Sequence, residues 1–239
     1  MKVIDLTMAL YEEMASGYSH PAFKSHPIWP QPFKKEMTGG TTSGSQFHVY
    51  TAFCEAGTRI LLPGYRQEYR EADKARLHTV DLNRLVLRDT VVLDVPKGAE
   101  EFIDPEEIEA AFKKAPVQKG DALLVRTGWG DNDRYIKMGL DYKEKGPHYT
   151  GEAASKLKEL MLQNGSDIFL YDCCDMNGTD KRTGRSHSAF GAICSPGIIG
   201  VGGVVNCGAI TKPRVKLIAL PLKARDAWFA PCSAIAIEE

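Results

Sequence analysis

The sequence predicts a single mixed α/β domain containing more strand than helix. Eight short runs rich in Val, Ile and Leu punctuate its 239 residues, and only two segments between them carry clear helix start and stop signals. The length lies within what one hydrophobic core can serve.

Strands are expected at 3–8, 59–63, 90–95, 122–127, 167–172, 198–205, 215–221 and 233–237. Several of these runs are continuously apolar rather than alternating, as in strands covered on both faces. Asp104-Pro105-Glu106-Glu107 reads as an N-cap, a proline at the first position and an acidic first turn, opening a helix to about Lys114. Thr150 caps a second helix that runs through Leu162 and stops at Asn164-Gly165. A weaker helix is expected within 67–76. Residues 19–44 are rich in Pro, His, Ser, Thr and Gly and have no period. They read as a long loop or as an arm packed on a cleft or a neighbouring subunit, and Trp29 and Phe33 favour the arm.

Thirty Lys and Arg balance 31 Asp and Glu, for a net charge of −1. This argues against a nucleic-acid binder, which needs a basic excess or stripe. No run of about 18 apolar residues exists to span a membrane, and Lys2 and Asp5 interrupt any signal-peptide pattern. The six cysteines include no CxxC pair, so reduced thiols in a cytoplasmic protein are expected.

Three segments carry a resemblance. They are Leu123-Leu124-Val125-Arg126-Thr127-Gly128-Trp129, Gly57-Thr58-Arg59-Ile60-Leu61-Leu62-Pro63-Gly64-Tyr65, and residues 167–175. In order and spacing, across nearly the whole chain, they resemble the cyclase family that includes kynurenine formamidases and isatin hydrolases. The resemblance implies a swivelling β/β/α fold, a small-molecule hydrolase or lyase, and a homodimer or homotetramer. It also implies a metal site, and there the chain departs from the pattern. The family's ligand and acid/base positions read Glu55, Arg59, Leu61 and Tyr65. A later Glu ligand aligns with Gly202 or Gly203, and a later His with Phe190, or with His187 if the loop shifts. Arginine has no free lone pair and leucine no donor atom, whereas a catalytic zinc normally needs three protein ligands. The reading is therefore of an enzyme with no metal and no other cofactor.

Roles follow from the residue types. Arg59 is the candidate clamp for a substrate carboxylate or a developing oxyanion, or else a structural partner of Glu55. Glu55 is the candidate general base, and Tyr65 a proton or hydrogen-bond donor or an aromatic filler. His187 is a candidate second acid/base group. His48, Phe53, Cys54, Trp129, Asp172 and Asp175 are candidates for contact with substrate. Each has a plain packing or hydrogen-bonding alternative. Cys54 is also a candidate nucleophile if Arg59 and a nearby base activate it. Gly200-Val201-Gly202-Gly203 lacks a following Lys-Ser/Thr and matches no phosphate-binding loop. The leading expectation is acid–base chemistry on a small cyclic or carboxylate substrate: ring opening or closing, dehydration or hydrolysis. The alternatives are a catalytically degenerate protein that binds a small anion or a protein, and a rearranged metal site built from Glu55, His48, His187 and an Asp.

Overall fold

The computed structural model describes residues 1–12, 14, 24–28, 47–180 and 184–239, with the backbone alone at 25–28, 47–49 and 180. In chain order the strands are β1 (Lys2–Asp5), β2 (Lys24–Ile28), β3 (Phe47–Thr51), β4 (Arg59–Leu61), β5 (Arg88–Asp94), β6 (Phe102–Ile103) and β7 (Ala122–Arg126). They continue as β8 (His148–Tyr149), β9 (Ile168–Tyr171), β10 (Gly178–Asp180), β11 (Arg185–His187), β12 (Ile199–Gly202), β13 (Arg214–Pro221) and β14 (Phe229–Glu238). The helices are α1 (Pro105–Lys114), α2 (Arg134–Met138), α3 (Asp141–Glu144), α4 (Gly151–Asn164) and α5 (Ala189–Ile193).

All eight expected strands are found, and among the described residues they form one sheet in the order β1-β14-β13-β5-β7-β9-β12-β4. The long β14 also pairs with β4, so the strands from β14 round to β4 close on themselves as a barrel-like mixed sheet. Strand β1 lies antiparallel to the C-terminal half of β14. Closure removes the exposed edges that an open sheet would present.

Alternation along the strands divides the core. Ile60, Val92, Leu124, Leu170 and Val201 point into one cluster with Ile4 and Leu217. Val91, Leu93, Leu123, Val125, Phe169 and Tyr171 point the other way, onto Ile108 of α1 and Leu157 of α4. Both helices begin as their caps dictate. The Glu107 carboxylate accepts from the Asp104 N–H at 2.9 Å, and Thr150 Oγ1 accepts from the Ala153 N–H at 3.0 Å. Gly165, at φ 74°, ends α4 in the left-handed conformation.

Two expectations need amendment. The helix within 67–76 is only a 3-10 turn at Gln67–Tyr69. The Asp73 carboxylate draws the following chain away by accepting from the N–H groups of Ala75 and Gly197. The arm at 19–44 falls outside the described residues except for β2, which pairs antiparallel with β3. No described helix is long and apolar enough to cross a membrane.

Candidate functional site

Strand β4 places Arg59 between Gly202 of β12 and Pro231 of β14. Gly202 in turn pairs with Tyr171 of β9, so Arg59, Gly202 and Tyr171 lie in line across three strands. One register step along, Leu61, Gly200 and Phe169 repeat the arrangement. Both glycines lie on one face, because side-chain direction has period two. A Cβ at Gly202 would collide with the Tyr171 hydroxyl, and one at Gly200 would press on Phe169 and Phe190. The glycine-rich run is thus a strand whose missing side chains let two aromatic rings lie across it.

The Arg59 guanidinium is buried at the end of this row, with 3 % of the residue exposed. It donates to the Cys174 carbonyl at 2.7 Å, the Gly57 carbonyl at 3.2 Å and the Tyr171 hydroxyl at 3.4 Å. Its Nε–H is buried without a hydrogen-bond partner among the described residues. Burial opposes the charge, but Tyr171, Cys174, Asp175 and Glu55 together hold the Arg59 pKa above its ordinary value. Burial likewise raises the Tyr171 phenol, with Arg59 pulling the other way. The cation is therefore permanent and sits against backbone carbonyls.

Glu55 is buried and near enough to act on Arg59, Tyr171, Cys174 and Cys54. Asp175 belongs to the same neighbourhood, and its carboxylate also accepts from the Asn177 N–H at 3.0 Å. Cys54 is half-buried. Burial and Glu55 push its thiol up against a smaller opposing effect of Arg59, so the surroundings do not activate it as a nucleophile. Phe53 accepts the Ala56 N–H through its carbonyl at 2.9 Å, beside the same turn.

The other predicted residues lie elsewhere. Tyr65 packs on Phe229 and Phe190 at 4.7 and 5.5 Å between ring centroids. A run of rings through Phe190, Phe169 and Tyr171 links it to Arg59. Asp172 is fully buried and holds the turn after β7. Its carboxylate accepts from the Thr127 N–H and Oγ1–H and from the Gly128 N–H at 2.6–3.0 Å. Trp129 is also structural: it donates from Nε1 to the Tyr142 carbonyl at 2.9 Å and lies under Arg134. His187 faces α4, its Nδ1 accepting from the Gly151 N–H at 3.0 Å and its ring lying 5.5 Å from Phe102. The His48 side chain falls outside the described residues. Among the described residues no three His, Cys, Asp or Glu side chains converge as a metal site.

Sequence reasoning missed Tyr171 and the Gly57 and Cys174 carbonyls. The Gly200-x-Gly202 spacing was the available signal, since two same-face glycines in a buried strand mark a close approach by neighbouring groups.

Residues 4–173 match the family model described as "Putative cyclase". Among solved structures, isatin hydrolase A from Labrenzia aggregata, bound to benzyl benzoate, superposes with a TM-score of 0.74 at 18 % identity, covering 100 % of this chain and 94 % of that one. Isatin hydrolase A from Ralstonia solanacearum gives 0.74 at 17 %, covering 99 % and 92 %. A potential metal-dependent hydrolase with cyclase activity gives 0.70 at 18 %, covering 100 % and 99 %. No curated protein matches the chain. The likeness to the solved structures carries the fold, and the model match over most of the chain carries the kinship: the chain belongs to the cyclase family.

Proposed function

We propose that this chain, read as one cyclase-like domain over residues 1–239, is a small-molecule enzyme of hydrolase or cyclase type whose site works through a fixed guanidinium. The metal of its relatives does not fit the residues present. Arg59 has no lone pair to give, Leu61 has no donor atom, and the Tyr171 hydroxyl fills the space that a side chain at 202 would need. The observation that carries the reading is the buried Arg59 cation beside the buried Glu55.

In this scheme Glu55 takes a proton from water as its oxygen adds to an activated cyclic carbonyl. Negative charge gathers on the carbonyl oxygen in the field of Arg59, where low dielectric strengthens the attraction. The ring bond then breaks, and the proton passes from Glu55 to the leaving heteroatom. Ring closure is the reverse sequence. Cytoplasmic location and a homodimer or homotetramer complete the proposal, and size-exclusion with light scattering tests the assembly.

The functional test is an assay of chelator-free protein against small lactones, cyclic imides and amides, alongside metal analysis. Turnover is expected with far less than one metal per chain. Glu55→Gln is expected to lower kcat about 100-fold, as loss of a general base does. Near-stoichiometric zinc or manganese, or full turnover in both Glu55→Gln and Arg59→Leu, overturns the scheme. One observation favours a second reading, a binding protein without turnover. Three Arg59 hydrogen bonds are spent on the chain itself, which suits a structural plug as well as a catalyst. Saturable ligand binding with no turnover across the panel selects it.

A further inference from the structure

Three successive carbonyls follow β9, and each has its own donor. The Cys174 carbonyl accepts from the Arg59 guanidinium at 2.7 Å. The Met176 carbonyl accepts from the Tyr149 N–H of β8 at 2.9 Å. Between them, the Asp175 carbonyl lies 3.2 Å from Nδ1 of His148, the other residue of β8. A carbonyl only accepts, so this ring nitrogen carries a proton and donates. Burial, acting against the Asp175 and Asn177 backbones, lowers the pKa of the ring and favours its neutral form.

The ring itself is fixed. It is half-buried, packs on Phe102 at 5.6 Å between centroids, and lies against Gly178, where a Cβ would collide with it. The pairing of β6 with β8 sets Phe102 beside His148. The turn that the ring holds is tied twice more. The Asp175 carboxylate accepts from the Asn177 N–H at 3.0 Å, and Asn177 Oδ1 accepts from the Phe190 N–H at 3.1 Å. Arg59 depends on this turn in two ways, through the Cys174 carbonyl and through the charge of Asp175.

We propose that His148 is a positioning residue of the candidate site: by holding the Asp175 carbonyl it fixes the turn 174–177, and with it the direction in which Arg59 presents its guanidinium. A peptide unit is rigid, so a chain turns only at the two soft dihedrals of each residue. With the Cys174 carbonyl hooked to Arg59 and the Asp175 carbonyl hooked to His148, neither unit turns without breaking a bond. Loss of the imidazole donor frees the second unit and lets the carbonyl and carboxylate facing Arg59 drift. Small misplacements of an acting group are costly in rate. The inference rests on the reading of Arg59 as the acting cation, and the test separates the two.

The full chain is compared with His148→Asn, whose amide puts a donor close to the Nδ1 position, and with His148→Leu, which removes the donor. Two quantities are read: the ¹⁵N–¹H signal of Arg59 Nε, and kcat and KM on a substrate turned over by the wild type. His148→Leu is expected to shift the Arg59 signal and to lower kcat about tenfold at unchanged KM. His148→Asn is expected to return the signal to its wild-type place and kcat to within about twofold, which a loss of packing alone would not allow. Should urea unfolding show His148→Leu to be unfolded under assay conditions, His148→Gln, with its amide one bond further out, replaces it with the same expectation. An Arg59 signal unmoved by loss of the donor, or one that His148→Asn fails to restore, overturns the inference. A moved Arg59 signal with unchanged kcat, or with no wild-type turnover at all, leaves His148 positioning the cation and overturns the catalytic scheme instead.

Discussion

Arg59 and Asp172 are both buried charges lying close to Tyr171, and the chain treats them in opposite ways. Arg59 faces carbonyls, a phenol and two acids, all of which favour its charge. Asp172 faces three donors but no cation among its hydrogen-bond partners, and burial outweighs those bonds, pushing its carboxyl up to about 6. Equal burial thus yields one charge that cannot titrate and one that can. A fixed cation suits an electrostatic site, because no proton has to be placed before it acts. A titratable carboxylate clamped to a turn suits a structural post. The Thr127-Gly128-Trp129 motif marks the post, and the Arg59 position marks the site.

The largest effect that separates the two is loss of the cation. Arg59→Leu leaves the Gly57 and Cys174 carbonyls buried without their donor and removes the guanidinium on which Glu55 acts. A loss of about 4 kcal/mol in unfolding free energy is expected, as for other broken buried charge arrangements. Arg59→Lys is expected to recover little, because an ammonium cannot fork to two carbonyls and a phenol in one plane. Urea unfolding measures both. A loss below about 1 kcal/mol in Arg59→Leu would mean that the guanidinium is not structurally committed, which strengthens its reading as a ligand clamp.

How far the sequence carried this comparison depends on the range of each interaction. The eight strands were legible because continuous Val, Ile and Leu runs are local signals, and α1 because its cap and N1 proline are adjacent in sequence. Arg59 was legible as a departure from a motif. Its partners were not. Tyr171 lies 112 residues away and reaches Arg59 only because β12 presents Gly202 between them. Asp172 is a sequence candidate for contact with substrate, but Thr127 and Gly128, 45 and 44 residues back, capture both its oxygens. His187 was expected beside Arg59, and a single backbone N–H at Gly151 turns it to another groove.

The next effect is in pH. A carboxyl raised from 3.8 to about 6 by folding is bound by a proton in the native chain at pH values where the unfolded chain has released it. Stability from this group is therefore fully present below about pH 3.8 and lost as pH rises through about 6, by about 3 kcal/mol in all. Other carboxyls in the molecule are held low, Glu238 by the Thr211 N–H first, and they give the opposite slope. The clean measurement is thus the wild type compared with Asp172→Asn in urea unfolding at pH 4, 5, 6 and 7. The wild type is expected to lose ground relative to the variant across that window. A constant difference would show that Asp172 keeps an ordinary carboxyl pKa, and the contrast with Arg59 would vanish.

The smallest expected effect tests the clamp from its other side. Thr127 Oγ1 donates to Asp172 at 2.6 Å and accepts from the Trp129 backbone N–H at 3.1 Å, so one hydroxyl ties the carboxylate to the motif's main chain. Among the influences that lower the Asp172 pKa, this hydrogen bond comes first. Thr127→Val keeps the shape and removes the hydroxyl. It leaves one carboxylate oxygen and one N–H less well satisfied, and about 1.5 kcal/mol should be lost at neutral pH. Because the lost bond favoured the charged form, the Asp172 midpoint should move further up, and the loss should shrink at pH 4, where the group is protonated in both proteins. Thr127→Ser retains the hydroxyl and should restore both the midpoint and most of the stability. A Thr127→Val penalty that is the same at pH 4 and pH 7 would assign the hydroxyl to Trp129 alone, leaving Asp172 held by backbone N–H groups.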